Sequence, residues 1–497
     1  MDTRANIAFG FDNSYARLPR RFYAPVEPAK ATAPLLIAFN TALAEEMGLP
    51  LKGVDPGALA EIFSGNRPPG GAEPIASAYA GHQFGGFSPQ LGDGRALLYG
   101  EIVTPAGRRL DIQLKGSGRT PFSRGGDGRA ALGPVLREFL VSEAMHALGI
   151  PTTRALAAVV TGDPVYRETP LQGAVLTRVA SSHIRIGTFQ YFAARQDKEA
   201  LELLTRHALE RHYPDRLDAD NPALALFEGV IERQAALVAE WMRVGFVHGV
   251  MNTDNMSISG ETIDYGPCAF IDAYDPAARF SSIDTGSRYA FANQGAVAEW
   301  NLARLAEALL PVIDADEQKA VDLAITTLRK YPALFSQRLL SAMRAKLGLA
   351  EAEEGDAALI RDLLTAMHEG RADYTRFFRL LSEGVRGEGE AGFELAAGEF
   401  VDVSRFRAWL PAYLDRLSRE SIDRAVLAGA MDEVNPLYIP RNYRVEEALA
   451  AAAEGDLNPF NTLRVVLQTP YRAQQGMDAY AEPPPAEWGN YRTFCGT

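Results

Sequence analysis

With 497 residues, the chain has room for about three average domains, or for one large two-lobed unit with an added region. It carries 50 Lys and Arg against 63 Asp and Glu, a formal charge of −13, and no long basic block, which argues against nucleic acid or an anionic membrane surface as a partner. Two cysteines exclude a disulfide scaffold and a Cys-x-x-Cys metal knuckle; with no apolar leader and no bilayer-length apolar run, a soluble cytoplasmic protein is expected.

Residues 1–75 mix turn-rich stretches such as PVEPAKATAP with one run of helical character, PLLIAFNTALAEEMG, and are expected to form an N-terminal arm packed on the core. Glycine becomes dense in AGHQFGGFSPQLGDGRA, after which ALLYGEIV and RLDIQLKG alternate apolar positions as strands do. ALGPVLREFLVSEAMHALG reads as a helix, with Leu136, Leu140 and Ala144 on one face, Pro134 near its start and Gly149 at its stop. Two more strand-like runs, ALAAVVTG and GAVLTRVA, complete a strand, strand, helix, strand, strand order and a small β-rich lobe over 76–180. Helical periodicity then dominates. Residues 181–295 are expected to form a helical lobe with a metal and catalytic loop, and 296–497 a helical extension ending in a Pro-rich, extended tail. The expected fold class is α+β: two lobes, an N-terminal arm and a C-terminal helical extension.

Three groups of residues carry chemistry. Lys115 ends the strand DIQLK and Glu138 lies 23 residues on, inside the helix, which is how a protein kinase holds the lysine that contacts nucleotide phosphates. Taken alone, the two are equally a solvent-facing Lys and a helix-surface Glu with no contact. Asn255 and Asp264 are oxygen ligands of the kind Mg²⁺ takes, expected on the two strands of a hairpin, NMSI and ETIDYG, turned by Gly260. With GFVHG before them they stand in kinase order, which makes a kinase-like two-lobed fold the reading of the whole. The departure is at the base. A kinase loop reads His-Arg-Asp with its metal-binding Asn five residues after the Asp, whereas His248 is followed by Gly249 and Val250, and Val250 stands five before Asn255. Asp254 is the carboxylate left to orient or deprotonate a hydroxyl; the alternative is a turn cap.

The third group is basic. Arg178 in LTRVA and Arg185 in SSHIRIG fall where the lobes should join, and two guanidinium groups there suit an anion better than a purine, although each by itself reads as a surface arginine. QLGDGRALLYG and KGSGRTPFSRGGDGR have neither the kinase phosphate-loop spacing nor that of a P-loop.

Together the stretches YAGHQFGGFSPQLGDGRA, LKGSGRTPFSRGGDGRAALGPVLREFLVSEAMHALGIPTTRAL, LTRVASSHIRIGTFQYFA and GFVHGVMNTDNMSISGETIDYGPCAF resemble the selenoprotein O, or YdiU, family of protein adenylyltransferases with a pseudokinase fold. The resemblance implies ATP bound in inverted orientation as co-substrate, AMP transfer to Ser, Thr or Tyr hydroxyls of protein substrates, and release of pyrophosphate. By position it implies nucleotide contacts at Gly92, Gly94, Arg95, Lys115, Asp127, Gly128, Arg178, Arg185 and Asp264, with Glu138 partnering Lys115. It also implies Asp254 as proton acceptor and Asn255 and Asp264 as ligands of Mg²⁺ or Mn²⁺. Some eukaryotic members carry selenocysteine third from the end, where this chain has Cys495, which excludes a selenium-based redox role. A regulatory disulfide between Cys268 and Cys495 is a further expectation, set against two unrelated reduced thiols. Three alternatives to AMP transfer stay open: UMP transfer from UTP with Mn²⁺, ordinary phosphoryl transfer, and an inactive nucleotide-binding scaffold.

Overall fold

Apolar runs rich in β-branched residues dictate the centre of the first lobe. In the computed structural model, which describes residues 7–493 except 388 and 490, the strands are β1 (Tyr23–Pro25), β2 (Leu35–Phe39), β3 (Ile75–Ser77), β4 (Gly81–Gln83), β5 (Gly86–Ser88), β6 (Ala96–Val103), β7 (Arg109–Lys115), β8 (Ala130–Ala131), β9 (Arg154–Tyr166) and β10 (Pro170–Ala180). All but β4 and β5 join one antiparallel sheet in the order β1-β3-β6-β7-β10-β9-β2, with β8 added beside β10. β4 and β5 pair with each other as a separate hairpin.

One face of the sheet is covered by α1 (Thr41–Glu46) and α2 (Pro56–Phe63), whose Leu43, Leu59 and Phe63 meet Ile112, Leu114 and Val175. The other face is covered by α3 (Leu132–Ala147), through Leu136, Phe139 and Leu140. As the spacing predicts, α3 stops at Leu148, and Gly149 takes the left-handed φ of +79° that ends the helix. The second lobe packs α4 (Ile186–Ala193), α5 (Lys198–His212), α6 (Pro222–Arg243) and α7 (Gln294–Ile313) around Phe227, Trp241 and Leu305. Later helices build another core around Phe377, Phe378 and Tyr413. The helices Asn442–Ala453 and Asn458–Val466 return to pack on the outer side of α3, where the Phe139 and Phe460 rings lie 6.1 Å apart. The molecule is thus mixed α and β, with a sheet lobe and a helical lobe. No helix among the described residues is long and apolar enough to cross a membrane.

Two local expectations are corrected. PLLIAFNTALAEEMG is not one helix: Leu35–Phe39 is the edge strand β2, paired with β9, and Asn40 then caps α1 by accepting from the Leu43 amide at 3.1 Å. The free edge of β9 outcompetes the local helical preference, as non-local strand pairing can. With β1 at the opposite edge, the stretch read as an arm supplies both edge strands of the sheet. The expected metal hairpin is also reduced. Gly260 does turn the chain at φ +76°, but the pairing is a single bridge between Met256 and Thr262; Asn255 closes a 3₁₀ turn, Thr253–Asn255, and Asp264 lies beyond the bridge.

Candidate active site

Strand register assembles the first part of the site. Lys115 and Gln113 share a face of β7 because side chains alternate, and the pairing sets Arg178 of β10 directly opposite Gln113. That face looks at α3, so Glu138 meets both cations. Its carboxylate accepts from Lys115 Nζ at 2.6 Å and from Arg178 Nε at 2.7 Å, while Arg178 Nη1 donates to Gln113 Oε1 at 3.2 Å. Burial opposes the charge on Glu138, but Arg178 and then Lys115 outweigh it and lower its pKa. Lys115 Nζ also reaches Asp264 Oδ1 at 3.1 Å, tying the two lobes together.

The second part is the loop between β11 (Phe246–Val247) and β12 (Ala269–Phe270), an antiparallel pair. His248 is buried: burial lowers its pKa, and its ring bonds the Ile263 carbonyl at 2.9 Å, fixing the approach to Asp264. Asp264 adopts φ +69°, a left-handed conformation that Asp tolerates better than most residues. Burial works against its carboxylate charge, yet Lys115, Arg178 and Arg95 hold its pKa well below the usual range. Asn255 donates through Nδ2 to the Val250 carbonyl at 3.1 Å, so its amide oxygen is left for another partner. Asp254 is buried; Oδ2 accepts from Gln83 Nε2 at 3.1 Å and Oδ1 has no hydrogen-bond partner. Burial pushes its carboxyl up to about 6, against the pull of Arg185 and the Gln83 bond.

These groups open into a cleft of about 450 Å³. Gly92, Gly94, Arg95, Lys115, Asp127, Gly128, Arg178, Arg185, Asp254, Asn255 and Asp264 all line it; Glu138 lies behind Lys115 and does not. The lining holds seven Arg or Lys side chains against four Asp, a positive concentration in a chain of formal charge −13. Arg185, which begins α4 at the lobe junction, stacks its guanidinium 4.5 Å from the Tyr79 ring centre and donates to the Asp254 carbonyl at 2.7 Å. Gly92 is required by packing: at φ +73°, a Cβ would fall 2.3 Å from the Phe122 ring. Asp127 turns its carboxylate to Arg167 at 2.8 Å, so that it shapes the loop while Gly128 packs on Gly118.

Sequence reasoning missed several lining residues. Gln83 and Asn252 come from segments read only as glycine-rich or as a loop; Arg124 and Arg129 belong to the basic stretch GRTPFSRGGDGR, whereas Arg167, in VYRETP, has no local signal. Among the described residues no cluster of three or more His, Cys, Asp or Glu could hold a metal. The donor set that exists, a free amide oxygen on Asn255 and an ionised carboxylate on Asp264, fits a hard cation completed by phosphate oxygens and water. Cys268 is buried, its thiol pushed up to about 12 by burial and bonded to the Tyr265 carbonyl at 3.2 Å; Cys495 lies outside the described residues.

The sequence matches the family model described as protein adenylyltransferase SelO over residues 6–468. It is 57% identical to the protein nucleotidyltransferase YdiU of Rhizobium etli over 495 residues, 99% of this chain and 98% of that protein. The similarity to the protein nucleotidyltransferase YdiU of Agrobacterium fabrum is 56% over 488 residues, 98% and 99% of the two chains. That of Methylorubrum extorquens is 58% identical over 494 residues, again 98% and 99%.

Proposed function

This chain belongs to the protein adenylyltransferase SelO family and is a nucleotidyltransferase, and from that premise we propose that it transfers AMP from ATP to Ser, Thr or Tyr hydroxyls of proteins. The observation that carries the reading is the run of cations at the lobe junction, Arg178 on β10 and Arg185 at the start of α4, where an adenine slot would be apolar. Guanidinium groups there favour the polyphosphate, which turns the base outward and exposes the α-phosphorus to the acceptor. A kinase-like ancestry of the two lobes is supported by the Lys115–Glu138 pair and by the order of His248, Asn255 and Asp264.

In the proposed reaction the acceptor oxygen attacks the α-phosphorus, the bond to the bridging oxygen breaks, and pyrophosphate leaves. The hydroxyl proton passes to Asp254, whose Oδ1 is the unpartnered oxygen. Lys115, Arg178 and Arg185 stabilise the charge that builds on the leaving group. Mg²⁺ or Mn²⁺ held by Asn255 and Asp264 would neutralise phosphate oxygens.

The deciding experiment incubates the protein with ATP labelled on the α-phosphate and, separately, on the γ-phosphate. Label from the α position alone is expected in protein. Entry of γ-label would make the protein a kinase, entry of neither a binding scaffold, and label from α-labelled UTP with Mn²⁺ in place of ATP would reassign the donor. Asp254→Ala is expected to slow transfer about a hundred to ten thousand fold with little change in nucleotide affinity; full activity would remove its role. Gly81→Ala should disturb the same carboxylate, since the added Cβ would sit 2.7 Å from Asp254 Oδ1. A shift of about 1 Å there is worth roughly a hundredfold in rate, read against an unchanged melting temperature.

The same reading includes a regulatory Cys268–Cys495 disulfide. Its support is Thr493, which donates to the Pro267 carbonyl at 2.8 Å and so holds the tail beside the metal loop. A peptide map of oxidised, unreduced protein that lacks a 268-to-495 linked peptide would reject it.

A further inference from the structure

The hairpin of β4 and β5 stands apart from the large sheet, yet it is keyed to the loop that carries Asp254. Its backbone amides at His82 and Phe84 donate to Thr253 Oγ1 at 2.7 Å and Asn252 Oδ1 at 3.1 Å, and Gln83 bonds Asp254 itself. Tyr289 completes the lock: its hydroxyl donates to Asn252 at 2.7 Å and its ring meets the edge of Phe84 at 5.2 Å. The hairpin thereby gains a fixed position relative to the proton acceptor.

Its outer surface is apolar where a solvated hairpin would be polar. Phe84 is 39% exposed and Phe87 43%, and Ile283, 52% exposed, stands with Phe84 on the rim of the cleft. Phe87 lies against His82, with ring centres 4.9 Å apart, and His82 meets the edge of Trp300 at 5.3 Å. Over Trp300 rests the guanidinium of Arg288, 4.5 Å from the ring centre, close to the hairpin turn at Gly85. The Asp284 carboxylate holds the Arg288 and Tyr289 amides, each at 2.9 Å, so the backbone of this segment is set. Among the described residues no carboxylate pairs with the Arg288 side chain, and its Nε is buried without a hydrogen-bond partner. Arg304 stacks on the same indole at 4.8 Å and has a buried Nε of the same kind, but its charge is paired with Glu307 at 2.5 Å.

We propose that this hairpin and Arg288 form the acceptor-recognition platform: the protein substrate offers its hydroxyl to Asp254 from a segment bearing a large apolar side chain, which packs on Phe84 and Phe87, and an acidic side chain, which pairs with Arg288. The inference rests on the proposed transfer to protein hydroxyls and names the class of sequence that receives AMP. The apolar contact follows from exposed aromatic area beside a reactive group, and the acidic preference from a guanidinium that has no carboxylate partner among the described residues and stacks on an indole. Asp254 opens only into the cleft, so the acceptor reaches it over the rim where Phe84 and Ile283 stand.

The test uses the full chain, Mg²⁺, α-labelled ATP and synthetic peptides with Ser, Thr and Tyr at the centre. Neighbouring positions carry Leu or Ser, and flanking positions Glu or Lys. Wild-type protein is expected to label the Leu, Glu set with kcat/KM at least about tenfold above the Leu, Lys set, a factor that corresponds to one desolvated charge contact. Arg288→Glu is expected to invert that order, and Phe87→Ser to erase the advantage of Leu over Ser by raising KM with kcat retained. An unchanged order in Arg288→Glu, or an unchanged KM in Phe87→Ser, overturns the platform. Transfer of α-label onto the protein itself is the internal control. If it occurs while no peptide is labelled, the platform is wrong; if it is absent too, the proposed transfer reaction fails with it.

Discussion

Asp264→Ala is expected to abolish nucleotidyl transfer, and Asp264→Asn to reduce it by at least about a hundredfold, the scale of losing one electrostatic contact at a reacting phosphate. The carboxylate is kept ionised despite burial because Lys115, Arg178 and Arg95 surround it, and in the proposed reaction it would pair with the Asn255 oxygen to hold the metal. Asparagine is the more informative change, since it keeps the size and tolerates φ +69° while losing the charge. Titration with Mn²⁺ in the presence of nucleotide should show weakened metal binding, and thermal unfolding should show a folded protein. A folded Asp264→Asn protein that retains metal affinity and most of its rate would refute the assigned role.

Glu138→Ala should cost the most stability of any single change in the site, about 3–5 kcal/mol, because it leaves the buried Arg178 without its carboxylate and takes one of two partners from the half-buried Lys115. Glu138 is 3% exposed and Arg178 also 3%, so water cannot replace the lost carboxylate. Lys115 retains Asp264 at 3.1 Å, but Arg178 retains only Gln113. Urea unfolding of Glu138→Ala measures the loss. A second variant, Arg178→Met combined with Glu138→Ala, should recover part of it, since the stranded charge is then gone. A loss below about 1 kcal/mol would mean that the pair behaves as an exposed one, whose worth is of that order.

Several residues of the site are readable from local sequence because their chemistry depends on neighbours along the chain. Lys115 ends a strand and Glu138 sits mid-helix, and each of these follows from periodicity; their 2.6 Å contact then follows from packing α3 on the sheet. Asp254, Asn255 and Asp264 stand within eleven residues of one another, and a short polar loop after an apolar strand is a local pattern. The double duty of Glu138 was not legible. It arises because the register of β10 on β7 brings Arg178 beside Gln113, and register between strands more than sixty residues apart has no local signature.

By itself, the sequence determined the alternation of the central strands, the start and stop of α3, the order of lysine, glutamate, asparagine and aspartate, and the absence of a carboxylate at Val250. These are properties of short windows, where side-chain period, capping and turn chemistry act. Only the tertiary structure decided that Leu35–Phe39 is a strand, that residues before 76 close both edges of the sheet, and that the hairpin at 81–88 lies against Asp254. An edge strand exists because another strand offers it unpaired hydrogen-bonding groups, and a hairpin is fixed over a loop because distant side chains accept its amides. Such partners are supplied by the folded chain, and no local window contains them.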